Sequence, residues 1–379
     1  MKSKSSILVL VVLVFFAYCC SSRGDGTVSI VNVGGHEMFV FTYSAFNTNV
    51  VTIPLSNLVE SVELVQLETK EEAYFRPFFT TVTDNYIGIR EQGFSPYLLF
   101  DRSGNFLGSI GSIGRGPGEY SSLYDDIIDC KNELIYLAPT MSDRILVYST
   151  SGQFVKDIVK PHRMQKPKMF LLDEVLTVVH MPFPNNRAIA FQFDVNTGEL
   201  LRELTPPAHL IVQNFDGELF STRNAPAGML DLLYTGNDTL YHYDVRNNRI
   251  LPAFLLEQGA ENRWRQHFQV NKDLIMTWIS SNLFAVDLRN KTSSNINVVN
   301  DFLGNMPAPM NITTIRNGYW VKNIQPEDLM EDIEDRLAER GISDSDRQAL
   351  NRALSALKEN TNNVVLIGRL KSEVRSRLW

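Results

Sequence analysis

Three short clusters carry the side chains best suited to holding a ligand. The first is Gly114-Arg115-Gly116-Pro117-Gly118-Glu119-Tyr120, where Arg115, Glu119 and Tyr120 could grip a sugar or a carboxylate at the mouth of a larger fold. The second is the acidic pair Asp125 and Asp126, just ahead of an apolar run, which reads either as a solvated turn or as a calcium-binding pair. The third is Arg263-Trp264-Arg265, two cations flanking a π face. No Walker signature accompanies the glycines: Glu119-Tyr120 stands where Gly-Lys-Ser/Thr would have to open a helix. The bland alternative is a connector whose glycines allow tight turns, with Arg115 and Glu119 tying it to its neighbours.

Other chemistries find little footing. His36, His162, His180, His209, His242 and His267 show no paired ligand spacing, so no metal site is expected, although a closed fold can gather distant residues. There is no Gly-x-Ser-x-Gly elbow and no other nucleophile signature, so no catalytic residue can be assigned. No cofactor is implied. The net charge of −7, with acidic and basic residues interspersed, leaves no footprint for nucleic acid.

The chain opens like an export signal. Lys2 and Lys4 precede an unbroken apolar run from Ile7 to Tyr18, too short for a membrane span but suited to a signal core. Cys19 and Cys20 follow at once, then a short polar stretch. A cysteine there resembles the bacterial lipoprotein box, and Cys20 is the better candidate for lipidation, with Cys19 as the alternative. An ordinary cleaved secretory signal is the other reading. Beyond the signal only Cys130 remains, so no intramolecular disulfide framework can form. The rest of the chain must stand on its own hydrophobic core.

The elements that would position any site come from an internal repeat. A short apolar strand, an Asp- or Ser-led turn and a second strand recur, with turn anchors at Asp101, Ser149, Asp194, Asp244 and Asp287. Their separations are 48, 45, 50 and 43 residues, the length of one four-stranded propeller blade. A sixth unit is expected from 317–324 and 363–370, completed by the alternating strand 61–67 from the other end of the chain. Strand exchange of that kind closes a ring and removes its exposed edges. Six blades is the expectation, with seven as the direction of error. Residues 326–360 instead show helical periodicity, with Leu329, Ile333 and Leu337 on one face and Leu350, Leu354 and Leu357 on a second helix. The expected organisation is a signal over 1–20, a tether and appendage over 21–58, and a propeller over 59–379 with a helical hairpin inserted in its last blade.

The runs 100–107, 114–120, 65–69 and 365–371 together resemble the six-bladed β-propeller proteins abundant as lipoproteins in Bacteroidetes, related in architecture to NHL-repeat proteins. The resemblance covers about residues 60 to 371. It implies an exported, lipid-anchored, all-β propeller in the cell envelope, periplasmic or at the surface. It says little about activity. The expected role is a binding or scaffold module for a glycan, a peptide or an envelope protein, touching the membrane only through its lipid. The alternative is a hydrolase or lyase acting on a carbohydrate at the central channel.

Overall fold

The computed structural model describes residues 26–43, 49–91, 93–213, 215–258 and 263–373. Cys19, Cys20 and the apolar leader lie outside the described residues.

Six four-stranded antiparallel units follow one another around a ring. Blade I comprises Pro77–Val82, Tyr86–Glu91, Tyr97–Asp101 and Phe106–Ile110, and blade II comprises Leu123–Asp129, Leu134–Pro139, Arg144–Ser149 and Phe154–Val159. Blade III runs from Lys168–Leu172 to Leu200–Leu204, blade IV from Leu219–Phe220 to Arg249–Glu257, and blade V from Arg265–Asn271 to Thr292–Asn300. Blade VI is assembled from both ends of the chain: Thr314–Arg316, Tyr319–Ile324, Val364–Leu370 and, outermost, Val59–Gln66. The protein is an all-β, six-bladed propeller.

The repeat works as its residue types dictate. Each anchor ends the third strand of its blade and caps the turn to the fourth. Asp101 accepts from the Ser103 and Asn105 amides, Asp194 from Asn196 and Thr197, and Asp287 from Asn290. Ser149 does the same for Gln153 with its hydroxyl. These are Asx and Ser turns that replace missing backbone partners. The apolar faces they present are buried in six clusters, one at each blade interface. No single blade could bury its own face, and stacking around a ring is what makes each stable.

Two departures from bare blades matter. Three strands of the stretch 21–58, expected as a tether and appendage, extend two of the sheets. His36–Thr42 pairs in parallel with the outer strand of blade IV and carries Val28–Val33 beyond it; Val50–Pro54 pairs in parallel with Thr292–Asn300 of blade V. The helices α1 (Pro326–Ala338) and α2 (Asp344–Ala356) lie in sequence between Tyr319–Ile324 and Val364–Leu370, which pair with each other. Helix α1 opens on a proline with acidic residues in its first turn, and α2 on Ser343, whose hydroxyl accepts from the Asp346 amide. Leu329, Ile333, Leu350 and Leu357 bury their faces in the cluster shared by blades V and VI.

Ring closure is tightest at Gly104. Its φ is +92°, and a Cβ there would sit 2.5 Å from the Gln66 carbonyl oxygen of the closing strand. At the equivalent Gly152 in blade II, φ is +84° but the nearest atom would be 3.5 Å away. Gly104→Ala should therefore lower stability by about 1–3 kcal/mol more than Gly152→Ala. Thermal melts of the two variants check this, and equal losses would contradict it.

Candidate functional site

The channel through the ring is crossed by charge. Asp125 and Asp126 lie within the inner strand of blade II, both fully buried, next to a bulge between Leu123 and Asp125. They are neither a solvated turn nor a calcium pair: arginines and backbone amides occupy them. Asp125 accepts from Arg223 Nη2 at 2.5 Å, Arg316 Nη2 at 2.5 Å and the Met169 amide at 2.6 Å. Asp126 accepts from the Tyr97 hydroxyl at 3.0 Å, with Arg316 Nη1 at 3.6 Å and Arg90 Nε at 3.7 Å. Its backbone carbonyl takes further bonds from Arg223 and Arg316. Five blades contribute: I through Arg90, II through the aspartates, III through Met169, IV through Arg223 and VI through Arg316.

Burial alone would raise the Asp125 carboxyl. The guanidiniums of Arg223 and Arg316 outweigh it and hold that group well below the usual carboxylate range. Burial, with Arg316 nearby, pulls Arg223 down to about 10. Arg223 also has a φ of +57°, an uncommon backbone state for a residue with a side chain. The turn thus bends against its preference to aim a guanidinium across the axis.

Above this knot lies a cavity of about 600 Å³, opening at the N-terminal ends of the inner strands. Its rim and walls are aromatic: Phe79, Phe220, Trp264 and Trp278. Its floor is polar. Ser221, His267 and Arg316 are among its lining residues, and each has a buried atom (Oγ, Nε2 and Nε) without a hydrogen-bond partner among the described residues. Native interiors rarely leave such atoms unpaired, and three of them belong to residues around one cavity. Burial keeps His267 neutral, its pKa lowered to about 3. Lys168, first residue of the inner strand of blade III, points its ammonium here over the Tyr124 ring at 4.8 Å and the Phe79 ring at 5.9 Å. Among the described residues no carboxylate pairs with it. Burial and the neighbouring guanidiniums of Arg316, Arg90 and Arg223 oppose its charge, Asp125 favours it, and the pKa falls to about 8. Three guanidiniums and one ammonium therefore face two carboxylates in the knot, and a third carboxylate, Asp231, lines this mouth, so positive charge still exceeds negative here.

At the opposite end is a smaller cavity of about 410 Å³, lined among others by Arg223, Asn317, Tyr319 and Cys130. Arg369 spans its edge between Asp84 and the Tyr319 hydroxyl. Among the described residues, no group of three His, Cys, Asp or Glu side chains is placed to hold a metal ion.

The sequence-derived candidates scatter. Trp264, 60% exposed, lines the upper cavity. Its neighbours turn elsewhere: Arg263 lies over the Tyr43 ring, and Arg265 pairs with Asp238 and bonds the Gly236 carbonyl. The glycine-rich run lines neither cavity. It packs against Tyr148 and Phe154 of blade II, with the Glu119 carboxylate accepting from the Gly116 amide. Tyr120 is buried, its hydroxyl donating to the Ile110 carbonyl and accepting from the Tyr97 amide, so it is engaged in the fold. Arg115 stays exposed on that connector. Lys168, Arg316, Arg223, Arg90, Ser221 and His267 were not singled out. Their one visible signal is a charge set inside an otherwise apolar strand, as in Ile87-Gly88-Ile89-Arg90 and Thr314-Ile315-Arg316.

Removing one member of the knot strands the others. Asp125→Asn should cost about 3–5 kcal/mol at neutral pH, because two buried guanidiniums lose their counter-charge. The depressed carboxyl contributes stability above the unfolded-state pKa of about 4, and that contribution disappears as pH falls through the lower folded value. Urea titrations should thus show the gap between wild type and variant narrowing below about pH 4. A gap independent of pH would contradict this role.

Comparison with known proteins adds the fold and a family. Among solved structures, a protein of Bacteroides fragilis NCTC 9343 named as exported superposes with a TM-score of 0.56 at 16% identity, over 88% of this chain and 99% of that one. A member of the DUF4221 family from Bacteroides vulgatus ATCC 8482 superposes with a TM-score of 0.48 at 10% identity, over 82% and 98% of the two chains. No curated protein matches. The model of the family described as "Domain of unknown function (DUF4934)" matches residues 38–369, and the chain belongs to that family.

Proposed function

We propose that this propeller is a binding module whose site is the upper mouth of the channel, and that its ligand is an acidic glycan. The observation that carries the reading is the single cavity where exposed Trp264, Trp278, an unpaired Lys168 ammonium and three orphaned polar atoms meet. Indole faces stack on sugar rings, and a cation without a carboxylate partner suits a uronate. Peptides and envelope proteins, the other partners considered, would have to supply the same anionic and flat groups.

Binding is favoured over hydrolysis at the channel. A glycosidase needs two carboxylates flanking open space, whereas Asp125 and Asp126 are bonded to arginines. Asp231, on the cavity wall, is likewise taken by the Thr222 amide and hydroxyl and by the Asn224 amide.

Calorimetry with a polygalacturonate oligomer should show binding, with a neutral glucan of equal length giving none. Lys168→Met and Trp264→Ala should each weaken it by about tenfold, the worth of one charge-assisted bond or one stacked ring. Affinity should decline above about pH 8, as Lys168 loses its proton. Unchanged binding in both variants would sink the assignment to this mouth.

The same reading takes the protein to be exported and held at the cell envelope by a lipid on Cys20, with the helical pair as an insertion within the closing blade. Among the described residues no helix is long and apolar enough to cross a membrane. The relative named as exported is consistent with this address. Fatty-acid labelling in a bacterial host should be lost in Cys20→Ser and retained in Cys19→Ser; the reverse would reassign the anchor.

A further inference from the structure

Lys168 differs from an ordinary salt-bridging lysine. It lines an open cavity, its amine lies 4.8 Å from the Tyr124 ring and 5.9 Å from the Phe79 ring, and among the described residues no acceptor is bonded to it. Arg316 lines the same cavity, its Nε unpartnered. On the far side Asp125 is already held by Arg223 and Arg316, so its charge reaches Lys168 only at a distance. The other titratable groups around it are Arg316, Arg90, Arg223, His267 and the Tyr124 phenol, and each nearby carboxylate is engaged elsewhere: Asp125 by arginines, Asp231 by Thr222 and Asn224, and Glu218 by Lys166 and Tyr124. Burial and its hydrogen bond to the Glu218 carboxylate raise the Tyr124 hydroxyl, so it stays a neutral phenol near neutrality, while burial and the guanidiniums lower the Lys168 amine. A lysine desolvated among cations is the setting in which an amine becomes a nucleophile.

We propose that Lys168 is a covalent capture site, whose amine condenses with the carbonyl of a small anionic aldehyde or 2-oxo acid seated in the upper cavity. This rests on the anion-binding reading of that cavity and deepens it. The neutral amine adds to the carbonyl carbon to form a carbinolamine. Loss of water then gives the imine, with the amine's two protons and the carbonyl oxygen leaving together as that water. No oxidant or reductant is consumed. Arg316 Nε is the donor placed to receive the ligand's carboxylate, while the Tyr124 and Phe79 rings exclude bulk water that would hydrolyse the adduct. An acidic sugar in its open-chain aldehyde form would present both groups at once.

The test uses the folded chain, glyoxylate as the anionic aldehyde, acetaldehyde as the neutral control and cyanoborohydride to trap the imine. Peptide mapping should find the carboxymethyl adduct on Lys168 at least about tenfold faster than on the exposed reference lysines Lys70 and Lys131, because the gain in free amine exceeds the loss of intrinsic nucleophilicity. Glyoxylate should outpace acetaldehyde at Lys168 and not at the reference lysines. Arg316→Lys, with its folding checked by circular dichroism and thermal melt, should lower the glyoxylate-to-acetaldehyde labelling ratio at Lys168, and an unchanged ratio in the folded variant would remove Arg316 from the proposal. Uniform labelling of all three lysines overturns the proposal, as does an equal rate with both aldehydes at Lys168. Polygalacturonate calorimetry on the same sample separates the two claims: binding without selective labelling removes only the covalent step, and labelling without binding removes only the glycan.

Discussion

Everything around the axis depends on how two buried carboxylates are neutralised. Asp125 and Asp126 could not stand in a dry channel alone, because ionised groups there are too costly to leave unpaired. Their partners come from across the ring, so compensating the charge also sets the distances between blades that share no sheet. Arg316 of blade VI and Arg223 of blade IV meet on one carboxylate of blade II. Such a knot adds less to net stability than an apolar plug of equal volume would, since desolvation consumes much of the attraction. What it contributes is position: apolar side chains would tolerate sliding, whereas paired guanidiniums fix the mouth above them.

The surplus of positive charge in the knot then determines the character of the mouth. Lys168 remains without an anionic partner because the nearby carboxylate is already engaged. The orphaned Nε of Arg316 follows from the same geometry, since its two Nη atoms are turned toward the aspartates. The structural clamp and the unpartnered donor are thus different atoms of the same side chain. That coupling links cavity chemistry to inter-blade packing.

Much of the architecture was legible in the residues. Turn-capping Asp and Ser recur at blade length because every hairpin needs the same local solution, and the alternating 61–67 segment betrays a strand awaiting a partner. The two helices were equally readable from leucine spacing. The site was not. Inner strands are short and face one another across the axis, so their chemistry depends on contacts spanning up to 191 residues, as between Asp125 and Arg316. Asp125 and Asp126 drew attention as an acidic pair, but no local pattern announces three arginines from three other blades. The glycine-rich run misled for the opposite reason: its composition is unusual, yet it reflects a tight connector packed against Tyr148 and Phe154. The stretch 21–58 was read as a tether and appendage, separate from the ring, because parallel addition of its strands to an outer edge leaves no trace in strand periodicity.

The pairing of Val59–Gln66 with Val364–Leu370 has a kinetic corollary. A ribosome must deliver nearly the whole chain before the last sheet can exist, so an early strand waits with its edge unsatisfied while five blades accumulate. Loop entropy grows only slowly with such separations, but the encounter itself is slow and leaves intermediates open to misassociation. Circularity, once achieved, works the other way: the outer strand of the closing blade cannot leave without breaking its pairing with a strand made far later in synthesis.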